Sequence, residues 1–357
     1  MGKPRTFHLV VYAFGLGGAA LLTYLVMRQG ASQVGAALAQ AGLGLVCITA
    51  IHPIRVLADT AGWQVLVPRR HRLPWLTALW MHWLGESVSD VLPAARIGGD
   101  IVTARLAAIH GMSPRIATAS VLADVTICAF CKVAFVLIGL VLLVAATGKT
   151  ALVGPTVIGV LIGGAAIGIF YLLQRRGIFR GAAILASRLC ESWSSLEQHG
   201  ESVDRTVRRL YSRKRAVIGC CLFALISWLI GAGEVWIAFI GLGAQISVWT
   251  VIILETVTQA IRGVTFLVPG ALGVQEGGYL VVARIVNISG STALAAALVR
   301  RARELILGIP GAFIWQLIEA RHALKTRLNP AAAEPTSQPS PEVTSNKRNP
   351  KPDAITN

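Results

Sequence analysis

Two segments of this chain place acids and bases beside residues that break a helix. The first is Leu92-Pro-Ala-Ala-Arg-Ile-Gly-Gly-Asp100, followed by Arg105; the second is Val268-Pro-Gly-Ala-Leu-Gly-Val-Gln-Glu276, preceded by Arg262. Proline removes a backbone donor and glycine frees the dihedrals, so a helix interrupted here exposes unpaired N–H groups that attract anions such as a lipid phosphate. The candidate substrate-path or head-group residues are therefore Pro93, Arg96, Gly98, Gly99, Asp100 and Arg105, together with Arg262, Pro269, Gly270, Gly273 and Glu276. Asp100 and Glu276 would contact a head group or carry a proton, with Arg96, Arg105 and Arg262 as anion partners. The plain alternative is a loop that turns the chain; two copies at matched spacing favour function.

A second set of charges interrupts otherwise apolar sequence: Arg55, Asp59, Glu86, Asp124, Arg300 and Glu304. At membrane depth such groups cost a few kcal/mol each and need a partner or a role. Arg55 with Asp59, and Arg300 with Glu304, are spaced i,i+4 and are expected to neutralise each other on one helix face. His52 precedes Pro53 at an expected kink, and Trp75, Trp80 and Trp83 around His82 read as an interfacial aromatic belt.

No nucleophile elbow, phosphate loop or metal-ligand cluster is recognisable. Cys128 and Cys131 form a C-x-x-C, but with no second such pair and no nearby His they read as small apolar filler. The other cysteines also fall mostly in apolar runs, so a disulfide framework is not expected. No catalytic residue, cofactor or metal is assigned, and the chain is expected not to be an enzyme.

The elements that must position these residues are membrane helices. Of 357 residues 54% are hydrophobic and 14% charged, against about 25% charged in an ordinary soluble domain. The net charge of +16 lies between the apolar runs: ten basic residues fall from Arg175 to Arg215, and Arg69, Arg70 and Arg72 form another group. This is the bias of cytoplasmic loops and excludes a nucleic-acid-reading face.

Apolar runs of about 20 residues or more span a bilayer. They predict crossings at Phe7–Met27, Gly42–Val67, Ala117–Ala146, Leu152–Leu173, Ala216–Leu242 and Thr292–Glu319. The first is too long for a cleavable signal and follows Lys3 and Arg5, so it is expected to be retained with the N-terminus inside. Two stretches, 73–115 and 248–291, are interrupted by Pro, Gly and charge and are expected to be broken or re-entrant hairpins. Arg205, Arg208, Arg209 and Arg213 share one face of an amphipathic helix expected to lie on the anionic cytoplasmic leaflet. The Pro-rich tail is expected to be disordered.

At a constant offset of 176, residues 92–125 fall on 268–301 with eight identities in 34 positions, including Pro93 on Pro269, Ile109 on Ile285 and Ser113 on Ser289. The offset also carries 42–67 onto 218–243, Glu86 onto Arg262 and Asp124 onto Arg300, and these opposite charges are expected to face each other. Three crossings per half would make the second half inverted, as in secondary transporters. An external second hairpin leaves Arg300, Arg301 and Arg303 near the outer side, against the positive-inside bias. Either they are sunk among helices or that hairpin is two full spans.

These motifs resemble the flippase-like superfamily, which includes the transmembrane region of lysylphosphatidylglycerol synthases. Ala61-Gly-Trp-Gln-Val-Leu-Val-Pro68 and Ser87-Val-Ser-Asp-Val-Leu-Pro93 look most like the hopanoid-biosynthesis-associated membrane protein of the L type. The resemblance covers roughly residues 5 to 322. It implies movement of an amphiphile between leaflets, membrane lipids or hopanoids as partners and contact with hopanoid-pathway proteins. Only a short tail follows Glu319, so synthase activity is not carried over. The first motif has Asp100 where related proteins often have Glu.

The expectation is thus an all-α polytopic membrane protein with about six full spans, two broken hairpins and an inverted repeat. Residues 1–146 form the first half, 147–174 a fourth span, 175–215 a basic linker, 216–322 the second half and 323–357 the tail. Its place is the bacterial inner membrane, with both termini cytoplasmic, and its work is lipid transfer linked to hopanoid biosynthesis. The alternative is a non-transporting scaffold that gathers lipid-biosynthesis enzymes through the basic linker.

Overall fold

In a computed structural model the protein is all-helical among the residues the structure describes, which are 41–91, 95–147, 153–176, 194–264 and 273–328 with isolated positions before 41. Pro93, Pro269, Gly270, nearly all of the expected first span and the tail beyond Leu328 lie outside them, as do the side chains of Arg96 and Arg262. The helices are α1 (Gly42–Leu66), α2 (Trp75–Val91), α3 (Ala95–Ile109), α4 (Pro114–Thr147) and α5 (Val153–Arg176), then α6 (Ser194–Ser212), α7 (Lys214–Gly241), α8 (Val248–Val264), α9 (Val274–Ile285) and α10 (Gly290–Leu328). Residues 1–315 form one compact unit; those from Gln316 onward form a second, in which α10 runs on to Leu328. The tail expected from residue 323 is therefore helical in its first residues, which carry no proline before Pro330 to stop the helix.

Among the described residues, three helices are long and apolar enough to cross a membrane: α1, α4 over Pro114–Ala145, and α7. Their patterning is inside-out for water. On α7, Ile218, Leu222, Ile226 and Leu229 recur at helical spacing and are exposed, while Ser227 and Glu234 are buried. On α1, Leu43, Val46, Ile54 and Leu57 are exposed and His52, Arg55 and Gln64 are buried. Lipid accepts the apolar stripe, and the polar groups must find partners inside. α5 covers the expected fourth span, with exposed Ile158, Leu161 and Ile162. The sixth expected crossing falls in α10, where Arg300, Arg301, Arg303 and Glu304 break the apolar run.

Both interrupted stretches are pairs of short helices. α2 and α3 have 17 and 15 residues, α8 and α9 have 17 and 12. At about 1.5 Å per residue each is shorter than about 30 Å of hydrocarbon. The sequence of long, short, short and long helices in α1–α4 recurs in α7–α10. The turn between α3 and α4 recurs between α9 and α10 in detail: Met112 N donates to Ala107 O at 3.0 Å, and Ile288 N to Ala283 O at 2.8 Å, all at the offset of 176. Gly111 (φ 97°) and Asn287 (φ 59°) are the left-handed residues that end α3 and α9 at equivalent positions. Only glycine and, less readily, asparagine tolerate that conformation, which explains a matched turn without a matched residue.

Backbones approach where side chains are absent. A Cβ on Gly241 would lie 2.7 Å from Gly44 Cα, one on Gly219 3.0 Å from Val65 Cγ1, and one on Gly62 3.3 Å from Phe223 Cβ. The start of α1 thus meets the end of α7 and the end of α1 meets its start, so these two equivalent helices run antiparallel. Gly85 of α2 and Gly99 of α3 have no room for a Cβ against each other's chains. Gly99, a candidate substrate-path residue, is a packing residue here.

The amphipathic helix α6 does not lay its apolar face on lipid. Val207 and Leu210 pack with Ala119 and Ala123 of α4, while Arg205, Arg208 and Arg209 stay exposed. The small alanines offer a groove that protein side chains fill better than lipid tails. Tyr211 donates to Gln174 Oε1 at 2.5 Å, and burial pushes its hydroxyl up to about 12, so it stays a donor at any physiological pH.

Substituting Gly241→Ala should lower the thermal stability of the detergent-solubilised protein, by about 1–3 kcal/mol for an overpacked contact. Gly233→Ala, where no atom of the described residues lies within 4 Å of the added carbon, should be neutral or slightly stabilising in the same melt.

Candidate functional site

The buried polar residues of α1, α7, α8, α9 and α10 converge with a half-buried acid of α2. α1 supplies His52 and Arg55, three residues apart on one face; α2 supplies Glu86, α7 Glu234, α8 Glu255 and Gln259, α9 Glu276 and Tyr279, and α10 Arg300, Arg301, Arg303 and Glu304. α10 comes close to α2 because Gly308 and Gly311 face Val91, Ser87 and Trp83, and Ser87 Oγ donates to Leu307 O at 3.4 Å.

Glu304 is the hub. Its carboxylate accepts from Arg301 Nη1 at 2.8 Å and lies 3.7 Å from Arg300 Nε and 3.9 Å from Arg303 Nη2. Arg301 also reaches Glu276, with Nη2 and Nε at 3.2 and 3.3 Å from Oε1. Arg300 donates to Glu255 Oε2 at 2.5 Å, and Glu255 is held from its other oxygen by Gln259 Nε2 at 2.7 Å. Tyr279 Oη lies 3.4 Å from Arg300 Nη1. Neutralisation between neighbouring carboxylates and guanidiniums is what makes such burial tolerable, since each ion alone would cost several kcal/mol.

At the other end His52 sits between two acids, Nδ1 3.0 Å from Glu234 Oε1 and Nε2 3.3 Å from Glu86 Oε2, with the Arg303 guanidinium against the same ring. A neutral imidazole has one N–H, so both carboxylates receive a hydrogen bond only from the doubly protonated ring. Arg303, 3.5 Å from Glu234 Oε2, opposes that second proton. Glu86, Glu234, Glu255, Glu276 and Glu304 outnumber Arg55, Arg300, Arg301 and Arg303, and Asp59 adds to the field at Arg55. The ensemble can hold a proton at His52 and present both signs of charge to a polar group. Among the described residues, Glu276 Oε2 and the Nε atoms of Arg55 and Arg303 find no hydrogen-bond partner.

The expected site residues divide. Glu276, Glu86, Arg55, Arg300 and Glu304 enter the network, and Gly273 caps α9 in a left-handed conformation with φ 72°. Asp100 is half-buried within electrostatic range of Asp124, and Arg105 is exposed on α3. Contrary to the expectation from the alignment, Asp124 does not pair with Arg300: Arg300 takes Glu255, and Asp124 Oδ1 accepts from Cys220 Sγ at 3.3 Å. Glu86 takes His52. Arg300 and Glu304 do interact at i,i+4, but within a larger set. Arg300, Arg301 and Arg303 are sunk among helices, at 5%, 7% and 2% exposure, which is the first of the two alternatives their position posed. Glu234 and Glu255 were not singled out in the sequence. Each is an isolated acid in an apolar run, and that alone marks them.

The chain matches the family described as the lysylphosphatidylglycerol synthase TM region over residues 9–311, a range that includes the whole network. It belongs to that family and is a multi-pass membrane protein. No curated protein and no solved structure gave a match.

Replacing Arg300 alone by Met should leave Glu255 a buried unpaired anion and cost about 3–5 kcal/mol, whereas the double replacement Arg300→Met/Glu255→Met should recover most of the loss. Thermal unfolding of the purified protein in one detergent measures both; a double variant no more stable than the single one would show that the two side chains do not act as a pair.

Proposed function

We propose that this protein moves a lipid or hopanoid-type amphiphile between the leaflets of the bacterial inner membrane, in connection with hopanoid biosynthesis and without chemical catalysis. The observation that carries this reading is the ionic network, placed on helices of both repeated halves. A polar head group crossing the hydrocarbon needs paired charges that can exchange partners, and Glu304, Arg301 and Glu276 supply such a set. A proton taken up at His52 between Glu86 and Glu234, against the opposing field of Arg303, would serve as a coupling ion. Membership of a family named for a phospholipid synthase region supports lipid as the substrate class, and the resemblance of the 61–68 and 87–93 segments supports the link to hopanoids.

The antiparallel packing of α1 on α7 and the matched turns support an inverted repeat with both termini cytoplasmic. In that topology the α3–α4 and α9–α10 turns lie on opposite sides of the membrane. Ser113 and Ser289 are exposed at equivalent places in those turns. In a background without native cysteines, Ser113→Cys and Ser289→Cys should react with an impermeant maleimide from opposite sides; same-sided labelling would overturn the inversion.

Purified protein in proteoliposomes should move a fluorescent phospholipid or hopanoid analogue inward, measured by dithionite quenching with and without a proton gradient. Glu276→Gln should slow this at least about tenfold, equivalent to about 1.4 kcal/mol, while eluting as the folded protein. A wild-type protein that moves neither lipid under either condition would sink the translocation reading.

A further inference from the structure

Asp124 and Cys128 are one helical turn apart on α4, and across the seam Cys220 of α7 completes a compact set. One ligand atom of each, the Asp124 carboxylate and the two thiol sulfurs, lies within 4.8 Å of the others. Cys220 Sγ donates to Asp124 Oδ1 at 3.3 Å. Cys131 points instead towards the Cys221 carbonyl, Sγ 3.9 Å from the oxygen. Cys128, Cys131, Cys220 and Cys221 are all free thiols. Around them the seam is apolar, built from Leu66, Ile127, Ala216 and Ala224.

The lining residues of this seam do not take part in the ionic network. Among the described residues, the fields of Asp59 of α1, itself near Arg55, and of Asp100 of α3 reach Asp124. A carboxylate partnered by a thiol and facing further acids, in an apolar seam, is electrostatically suited to a cation. Two sulfurs select a thiophilic ion over Mg2+ or Ca2+, and the carboxylate favours a borderline divalent ion over Cu+. Three protein ligands leave one tetrahedral position for water.

We infer that Asp124, Cys128 and Cys220 bind a thiophilic divalent cation, Zn2+ foremost, which ties α4 to α7. Binding forms two Zn–S bonds and one Zn–O bond and releases two thiol protons to solvent. With Asp124 ionised the local charge is unchanged: one carboxylate with two thiols carries −1, and so does one carboxylate with two thiolates and Zn2+. The apolar seam therefore gains no net charge. Sequence spacing concealed this set because Cys128 has its thiol partner not at Cys131 but 92 residues later, at Cys220.

The test uses the full chain, reduced and stripped of metal in detergent, with Cd2+ as the spectroscopic probe. One Cd2+ per chain should bind with an ultraviolet sulfur-to-metal charge-transfer band, be displaced by Zn2+, and protect Cys128 and Cys220, but not Cys47, from alkylation mapped by mass spectrometry. Cys128→Ser/Cys220→Ser should abolish the band, and Asp124→Asn should weaken binding at least about tenfold, equivalent to about 1.4 kcal/mol. Absence of the band in the wild type, a band retained by the double variant, or equal protection of Cys47 would overturn the site. If the variants do not fold, the alkylation map of the wild-type chain decides alone.

Discussion

A buried carboxylate and a buried guanidinium tolerate a hydrocarbon environment only together, and the central helices of this protein are arranged around that constraint. Glu304 sits at i+3 or i+4 from Arg301 and Arg300 on the same helix, so α10 brings part of its own neutralisation. The rest comes from distant sequence: Glu255 from α8, Glu276 from α9, and Glu234 from α7 beside Arg303 and His52. Withdrawing any one of these helices would leave a charge uncompensated, at a cost of several kcal/mol. The pairing thus fixes which helices must meet, more strictly than non-directional apolar packing could in lipid.

Close packing makes that pairing reachable. Between helices in a membrane there is no water to expel, so association depends on fit, and fit depends on small residues. Gly44 and Gly241 let α1 and α7 cross with their backbones in contact, Gly85 and Gly99 do the same for α2 and α3, and Gly308 and Gly311 seat α10 on α2. Arginine side chains reach only a few ångströms past such crossings, so bulkier residues there would pull the ion pairs apart.

The network also has unequal ends. Around Arg300 the contacts join a guanidinium to carboxylates, with Gln259 bracing the acid and Tyr279 lying beside the base. Around His52 one ring faces two acids and one guanidinium, and its satisfaction depends on how many protons it holds.

The sequence by itself determined the membrane class, the positions of α1, α4, α5 and α7 and the two interrupted stretches, because each depends on local composition, length or proline and glycine placement. It also marked Arg55, Glu86, Arg300 and Glu304 as costly charges and Glu276 as a head-group or proton contact. Only the tertiary structure decided which charge answers which. The offset alignment pointed Asp124 at Arg300, yet equivalence under a repeat puts residues at related positions, not in contact, and Arg300 met Glu255 instead. It likewise decided that Gly99 is there to let α2 approach, that α6 packs on the alanines of α4, and that Asp124 keeps company with Cys128 and Cys220. Helical periodicity shows which residues share a face; it carries no information about which other helix that face will meet, and in this protein the chemistry is made between helices.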